Sequence, residues 1–163
     1  MAGTETTTNL IANAVLALDA HPDQRREVAA DRSLVASTLE EVLRWDAPVQ
    51  ALARVTTDDV TVGDVVIPSG SRVQLRFGSA NRDEREFPGG EQFDIHRAAT
   101  RHVGLGHGIH YCLGAALSRL EGRIMFDEMI ARVPDWSVGA VERHPSLEVR
   151  GPSRLELSFA TTP

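Results

Sequence analysis

Cys112 is the only cysteine of the chain. It stands in Gly104-Leu105-Gly106-His107-Gly108-Ile109-His110-Tyr111-Cys112-Leu113-Gly114-Ala115. A lone thiol has no partner for an internal disulfide. This one is surrounded by glycines and histidines, and a helical apolar pattern starts directly after it. A helix N-terminus offers free N–H groups and the positive end of a dipole, which favour a thiolate. The glycines allow a close backbone approach. These features suit a thiolate presented to a metal, and they suit equally a small buried hydrophobe. A second metal reading takes His102, His107, His110 and Cys112 as a zinc set, without the paired knuckle of structural zinc sites.

Three further groups have chemical potential. Glu41 and Arg44 lie three apart on a helical stretch and share a face, as many solvated pairs do. Glu5 and Thr6 place an acid beside a hydroxyl, able to relay protons, or merely to form the polar face of Thr4 to Thr8. Arg54 and His110 are both able to hydrogen-bond a carboxylate; neither is informative alone.

These residues need elements to carry them. Ile11, Ala14, Val15 and Leu18 form one stripe of a first helix, which should end near Asp19 because Pro22 biases His21 away from helical geometry. Pro22 opens a second helix. A third runs from about Leu34 to Trp45, with Leu39, Val42 and Leu43 on its apolar face. From Gln50 to Leu75, valines alternate with turn residues and predict short strands and hairpins. Phe77 to Arg101 is polar and irregular. A helix from about Leu113 to Arg132 carries the stripe Leu113, Leu117, Leu120, Ile124. The tail predicts a closing hairpin between Trp136–Val138 and Arg154–Phe159. The expected class is α+β, mainly helical with small antiparallel sheets.

The chain has 163 residues, 42% hydrophobic and 25% charged, with a net charge of −6. That is a globular composition, and its acidity disfavours nucleic acid as a partner. All 17 basic residues are arginine. One cysteine fits a reducing compartment. No apolar run approaches a membrane span, and no signal peptide is recognisable. The expectation is a cytoplasmic chain with no membrane partner.

Taken in order, the motifs resemble those of the cytochrome P450 family, the haem-thiolate monooxygenases of soluble bacterial type, in its C-terminal part. Ala2-Gly3-Thr4-Glu5-Thr6 is similar to the family's oxygen-binding motif, and Glu41-Val42-Leu43-Arg44 to its Glu-x-x-Arg motif. Ser79 to Asp83 and Phe87 to Asp94 resemble the segment before the haem loop, and Gly106 to Gly114 resembles the loop itself. The resemblance runs from Ala2 to about Phe159. It implies a single partial domain over 1–163, whose faces toward absent elements would be exposed apolar patches.

It also implies roles. Cys112 would be the axial thiolate of haem b, within the loop of Gly106 and Gly114. Arg54 and His110 would hold the propionates. Glu5 and Thr6 would deliver protons to bound dioxygen, with Ala2 and Gly3 leaving room. Glu41 and Arg44 would be a buried pair behind the loop. The implied reaction inserts one oxygen atom into a small organic substrate, with electrons from a ferredoxin-type donor. Arg101, Arg119 and Arg123 would be candidates to receive that donor. Two departures stand out: Leu105 replaces a usual phenylalanine, and Gln92 stands where an arginine is expected to join the Glu41–Arg44 pair. An inactive, partner-dependent haem-binding chain is the alternative.

Overall fold

The computed structural model describes residues 3–99 and 101–159. Helix α1 (Thr4–Ala20) stops where Pro22 restricts His21. The His21 ring finishes the end: its Nδ1 donates to the Ala17 carbonyl at 2.7 Å. Pro22 then opens α2 (Pro22–Ala30), where a missing N–H costs nothing. A 3₁₀ turn (Arg32–Leu34) leads into α3 (Val35–Trp45), which buries Val35, Leu39, Val42 and Leu43.

Four short strands follow: β1 (Leu52–Val55), β2 (Val60–Val62), β3 (Val65–Ile67) and β4 (Arg72–Leu75). β1 pairs antiparallel with β4, and β2 with β3. The β2–β3 turn is the two residues Gly63-Asp64. Its positive φ of 59° falls on Gly63, as a tight hairpin of this length needs. After one helical turn, α4 (Phe77–Ala80), the described residues form no further helix or strand before a 3₁₀ turn at Gly108–His110. Helix α5 (Ala115–Arg132) and the hairpin of β5 (Ser137–Arg143) with β6 (Pro152–Ser158) complete the described chain. The α+β class with three two-stranded antiparallel sheets is as expected.

The core forms where α1, α3 and α5 meet, around Leu10, Leu18, Leu39, Val42, Phe126 and Ile130. Gly122 sets how closely α5 approaches. A Cβ there would stand 3.4 Å from Leu39 and 3.6 Å from Leu10. The hairpin closes on α1: Trp136 is buried, and the Val138 amide donates to Asp19. Buried Asn13 donates to the carbonyls of Asp46 and Arg150, joining α1, the end of α3 and the tail. Among the described residues no helix is long and apolar enough to cross a membrane.

One expectation needs correction. Leu117, Leu120 and Ile124 lie on the outside of α5, with Ile124 54% exposed. The face that packs is Ala115, Gly122, Phe126 and Ile130. Leu113 precedes the helix, because Gly114 (φ −84°, ψ 8°) is its non-helical cap.

Candidate active site: the Cys112 loop and its supports

The loop that carries Cys112 is folded by its own backbone. The Gly106 amide donates to the Val103 carbonyl (2.9 Å), Tyr111 to Gly108 (3.0 Å) and Cys112 to Leu105 (2.8 Å). Gly106 and Gly108 have φ of 76° and 61°, where a side chain would be strained. A Cβ on Gly106 would also lie 2.8 Å from the His110 carbonyl oxygen. Cys112 is exposed. Its Sγ lies 3.9 Å from where a Gly114 Cβ would stand, so the thiol sits over the start of α5. The amides of Leu113 and Gly114 have no acceptor among the described residues. Such free donors at a helix start stabilise negative charge.

The loop is anchored to α3. A Cβ on Gly104 would overlap the Leu43 carbonyl oxygen, 2.1 Å away. Only glycine permits that approach. Buried Asn81 accepts from the Val103 amide at 2.7 Å. Leu105, where an aromatic was expected, is half-buried and packs against the core cluster. The shorter side chain therefore still plugs the loop into the core.

Behind the loop, Glu41 and Arg44 are both fully buried. Arg44 is saturated as a donor. Its Nε and Nη2 form a fork onto Glu41 (2.7 and 2.6 Å), and its remaining N–H groups reach the carbonyls of Asn81, Gly90 and Gln92. The Phe87 ring lies 5.5 Å from its guanidinium. The buried pair is as expected, and the departure at Gln92 leaves the network differently satisfied rather than incomplete. Gln92 contributes only its carbonyl, while Arg97 supplies the second arginine, with Nε 3.4 Å from Glu41. The network is therefore complete. Sequence reasoning missed Arg97 because it lies in a loop, where spacing says nothing about reach.

A second network was also missed. Glu40, next to Glu41 but on another face of α3, receives Nε and Nη2 of Arg119 at 2.5 and 3.0 Å. It also meets Nε2 of His102 at 3.0 Å. His102 Nδ1 accepts from the Gly104 amide, so the ring proton sits on Nε2 and is donated to Glu40. Arg119 Nη1 donates to the Tyr111 hydroxyl at 3.0 Å. Burial works to raise the Glu40 carboxyl. The hydrogen bonds from His102 and Arg119 and the Arg119 charge outweigh it and hold the carboxyl at about 2.

The expected donor-docking cations change accordingly. Arg119 is engaged with Glu40, and Arg101 pairs with Glu86 at 3.0 Å. Arg123 is exposed, with no ion-pair partner among the described residues. No group of three metal-ligating side chains occurs among the described residues, so the zinc set does not form; His102 is committed to Glu40 and Gly104.

The remaining candidates are dispersed. Arg54 lies half-buried on β1 and donates one bond, to the Ala53 carbonyl. It has no carboxylate partner among the described residues. The exposed His110 ring is likewise unpartnered among them. Glu5 is exposed and Thr6 half-buried in the first turn of α1, which is regular rather than opened. Gly3 caps that helix, with open space where a Cβ would stand. Ala2 lies outside the described residues. No hydrogen bond or ion pair among the described residues links Arg54 or Glu5 to the Cys112 loop.

In sequence and fold the chain is similar to known proteins. The profile described as Cytochrome P450 matches residues 1–133. A vitamin D(3) 25-hydroxylase of Pseudonocardia autotrophica is 48% identical over 98% of this chain and 41% of its own length. The cyclomarin C epoxidase CymV of Salinispora arenicola is 47% identical over the same shares. The structure of cytochrome P450 CYP109Q5 from Chondromyces apiculatus superposes with a TM-score of 0.95 at 45% identity, covering 99% of this chain and 42% of that one. The chain spans about two fifths of the length of these relatives. Members of this family carry haem on a cysteine thiolate. With its fold and the greater part of its sequence matched, the chain belongs to the cytochrome P450 family.

Proposed function

We propose that residues 1–163 form the haem-binding C-terminal part of a haem-thiolate monooxygenase, in which the Cys112 thiolate would hold the iron of haem b. One observation carries this reading: the thiol is exposed on a glycine-built loop at a helix start, not buried as a structural cysteine would be. The loop fits a flat apolar group. Ile109 and Leu113, close to Cys112 in sequence, are 97% and 103% exposed. Gly106 and Gly114 keep the backbone low there.

When bound, haem supplies the activation of dioxygen for transfer of one oxygen atom to an organic substrate. The chain's own residues do the rest. The Cys112 thiolate donates electron density, and the helix start holds its charge. Arg54 and His110, both with free donors, bind propionates. Thr6 and Glu5 would hold and move protons for that chemistry, with open space beside Gly3. A small organic substrate and an electron-donor protein of ferredoxin type are the partners of this chemistry. The named relatives act as a hydroxylase and an epoxidase, and both are oxygen insertions.

The test is optical. The haem-loaded, reduced protein under carbon monoxide should show the thiolate-ligated carbonyl band, and Cys112→Ser should abolish it while the far-ultraviolet dichroism stays unchanged. Full haem loading without that band, or a band that survives Cys112→Ser, overturns the assignment.

A second reading has its own observation. Leu117, Leu120 and Ile124 are exposed along α5, which favours a chain that holds haem only when that face is covered. A monomer with stoichiometric haem on gel filtration would exclude it.

A further inference from the structure

The Glu40 network has no part in the roles assigned above, yet it touches the Cys112 loop at both ends. At the entrance, His102 Nδ1 accepts from the Gly104 amide and its Nε2–H donates to Glu40. The His102 side chain is only 3% exposed, so this contact is shielded from water. At the exit, Arg119 joins Glu40 to the hydroxyl of Tyr111, the residue before Cys112. Arg119 itself stands on α5, just over one turn past its start. Through His102 and Arg119, Glu40 thus ties α3 to the first residues of the loop, to its last, and to the helix on which the thiol rests.

We propose that Glu40 is a positioning residue for Cys112, acting through His102 and Arg119 to clamp the loop's two ends against α3. The carboxylate suits this work: its two oxygens take the Arg119 fork and still accept from His102. Its charge persists well into acid, since the carboxyl is held at about 2. The clamp shares no side chain with the Glu41–Arg44–Arg97 network, which serves the carbonyls of Asn81, Gly90 and Gln92 and reaches the loop through Asn81, whose Oδ1 accepts from the Val103 amide. One network shapes the segment before the loop, and the other fixes the loop.

The test is amide hydrogen exchange on the full chain, with Glu40→Gln beside the unchanged protein. Glutamine keeps the shape but loses the charge and one acceptor. Exchange at the amides of Gly106, Tyr111 and Cys112 should quicken by about tenfold, the range of a lost charge-assisted hydrogen bond. Protection at Asp46 and along the β5–β6 hairpin should not change. Arg119→Gln should give the same local pattern, and the double variant should add little to either single one. If Glu40→Gln does not fold, Tyr111→Phe removes one bond from the same clamp and should quicken Cys112 alone, by a smaller factor. In haem-loaded protein, Glu40→Gln should also reduce the share of the carbonyl complex that carries the thiolate band. Unchanged exchange in the loop, or an increase spread equally over the whole chain, overturns the proposal. Exchange reads the loop without haem. A wild-type protein that lacks the thiolate band but shows the local exchange response would therefore refute the haem ligand and leave the clamp standing.

Discussion

At the residue scale, the two neighbouring acids of α3 show how context decides what a charge does. Glu41 is fully buried between Arg44, which has no donor left over, and Arg97. Removing Glu41 should cost about 3–5 kcal/mol, because the Arg44 charge would stay buried without its counter-charge. Glu40 is part-exposed and works in a wetter place. Its carboxyl lies at about 2 in the folded chain, below its ordinary value of 4.5. A folded-state value below the unfolded one means that ionised Glu40 stabilises the fold fully above pH 4.5. That contribution is lost as the pH falls from 4.5 toward 2. Glu40→Gln should therefore melt lower than the unchanged protein at pH 6, and the gap should shrink on acidification through this window. A gap in melting temperature that stays constant from pH 6 to pH 2.5 would contradict the pairing.

At the scale of elements, the crossing of the Cys112 loop over α3 depends on Gly104. A Cβ there would meet the Leu43 carbonyl oxygen at 2.1 Å, and backbone cannot step aside as a flexible side chain can. Gly104→Ala should destabilise the chain by several kcal/mol, in the range of overpacked buried sites, and should loosen the thiol loop first. Gly108→Ala has open space around its Cβ and should cost less, through its positive φ alone. Thermal melts of the two variants check the order.

Much of this element plan could be read from spacing. Pro22 marks the α1–α2 boundary, the stripe Leu39–Val42–Leu43 marks the inner face of α3, and Gly63-Asp64 marks a hairpin. Other parts could not be read. α5 carries two apolar faces, Leu117–Leu120–Ile124 and Phe126–Ile130, and periodicity does not say which one finds a partner. Arg97 and Arg119 reach carboxylates 56 and 79 residues away in sequence. No local pattern encodes contacts at that separation. Cys112 itself was readable as a thiol at a helix start, whereas its exposure was set by how the loop lies on α3.

At the scale of the whole molecule, the outer face of α5 is the least settled surface. Leu117, Leu120, Ile124 and Met125 are all about half exposed on consecutive turns, and contiguous apolar surface of this kind promotes association. Light scattering should show the chain self-associating as its concentration rises. Leu117→Glu combined with Ile124→Glu should suppress that association. Identical concentration dependence in the two proteins would mean that another surface drives it.

The Arg44 hydrogen bonds also bear on the order in which the molecule assembles. The carbonyls of Asn81, Gly90 and Gln92 lie 37, 46 and 48 residues beyond Arg44 in sequence. Helix α3 can form from local contacts within microseconds, but each of these bonds waits for a long loop to close. Until then the guanidinium has Glu41, on its own helix, but lacks its three carbonyl acceptors. The ground on which Cys112 comes to stand is therefore laid late in folding, after the helices that support it, and slowing that closure would delay the appearance of a competent thiol without altering its final position.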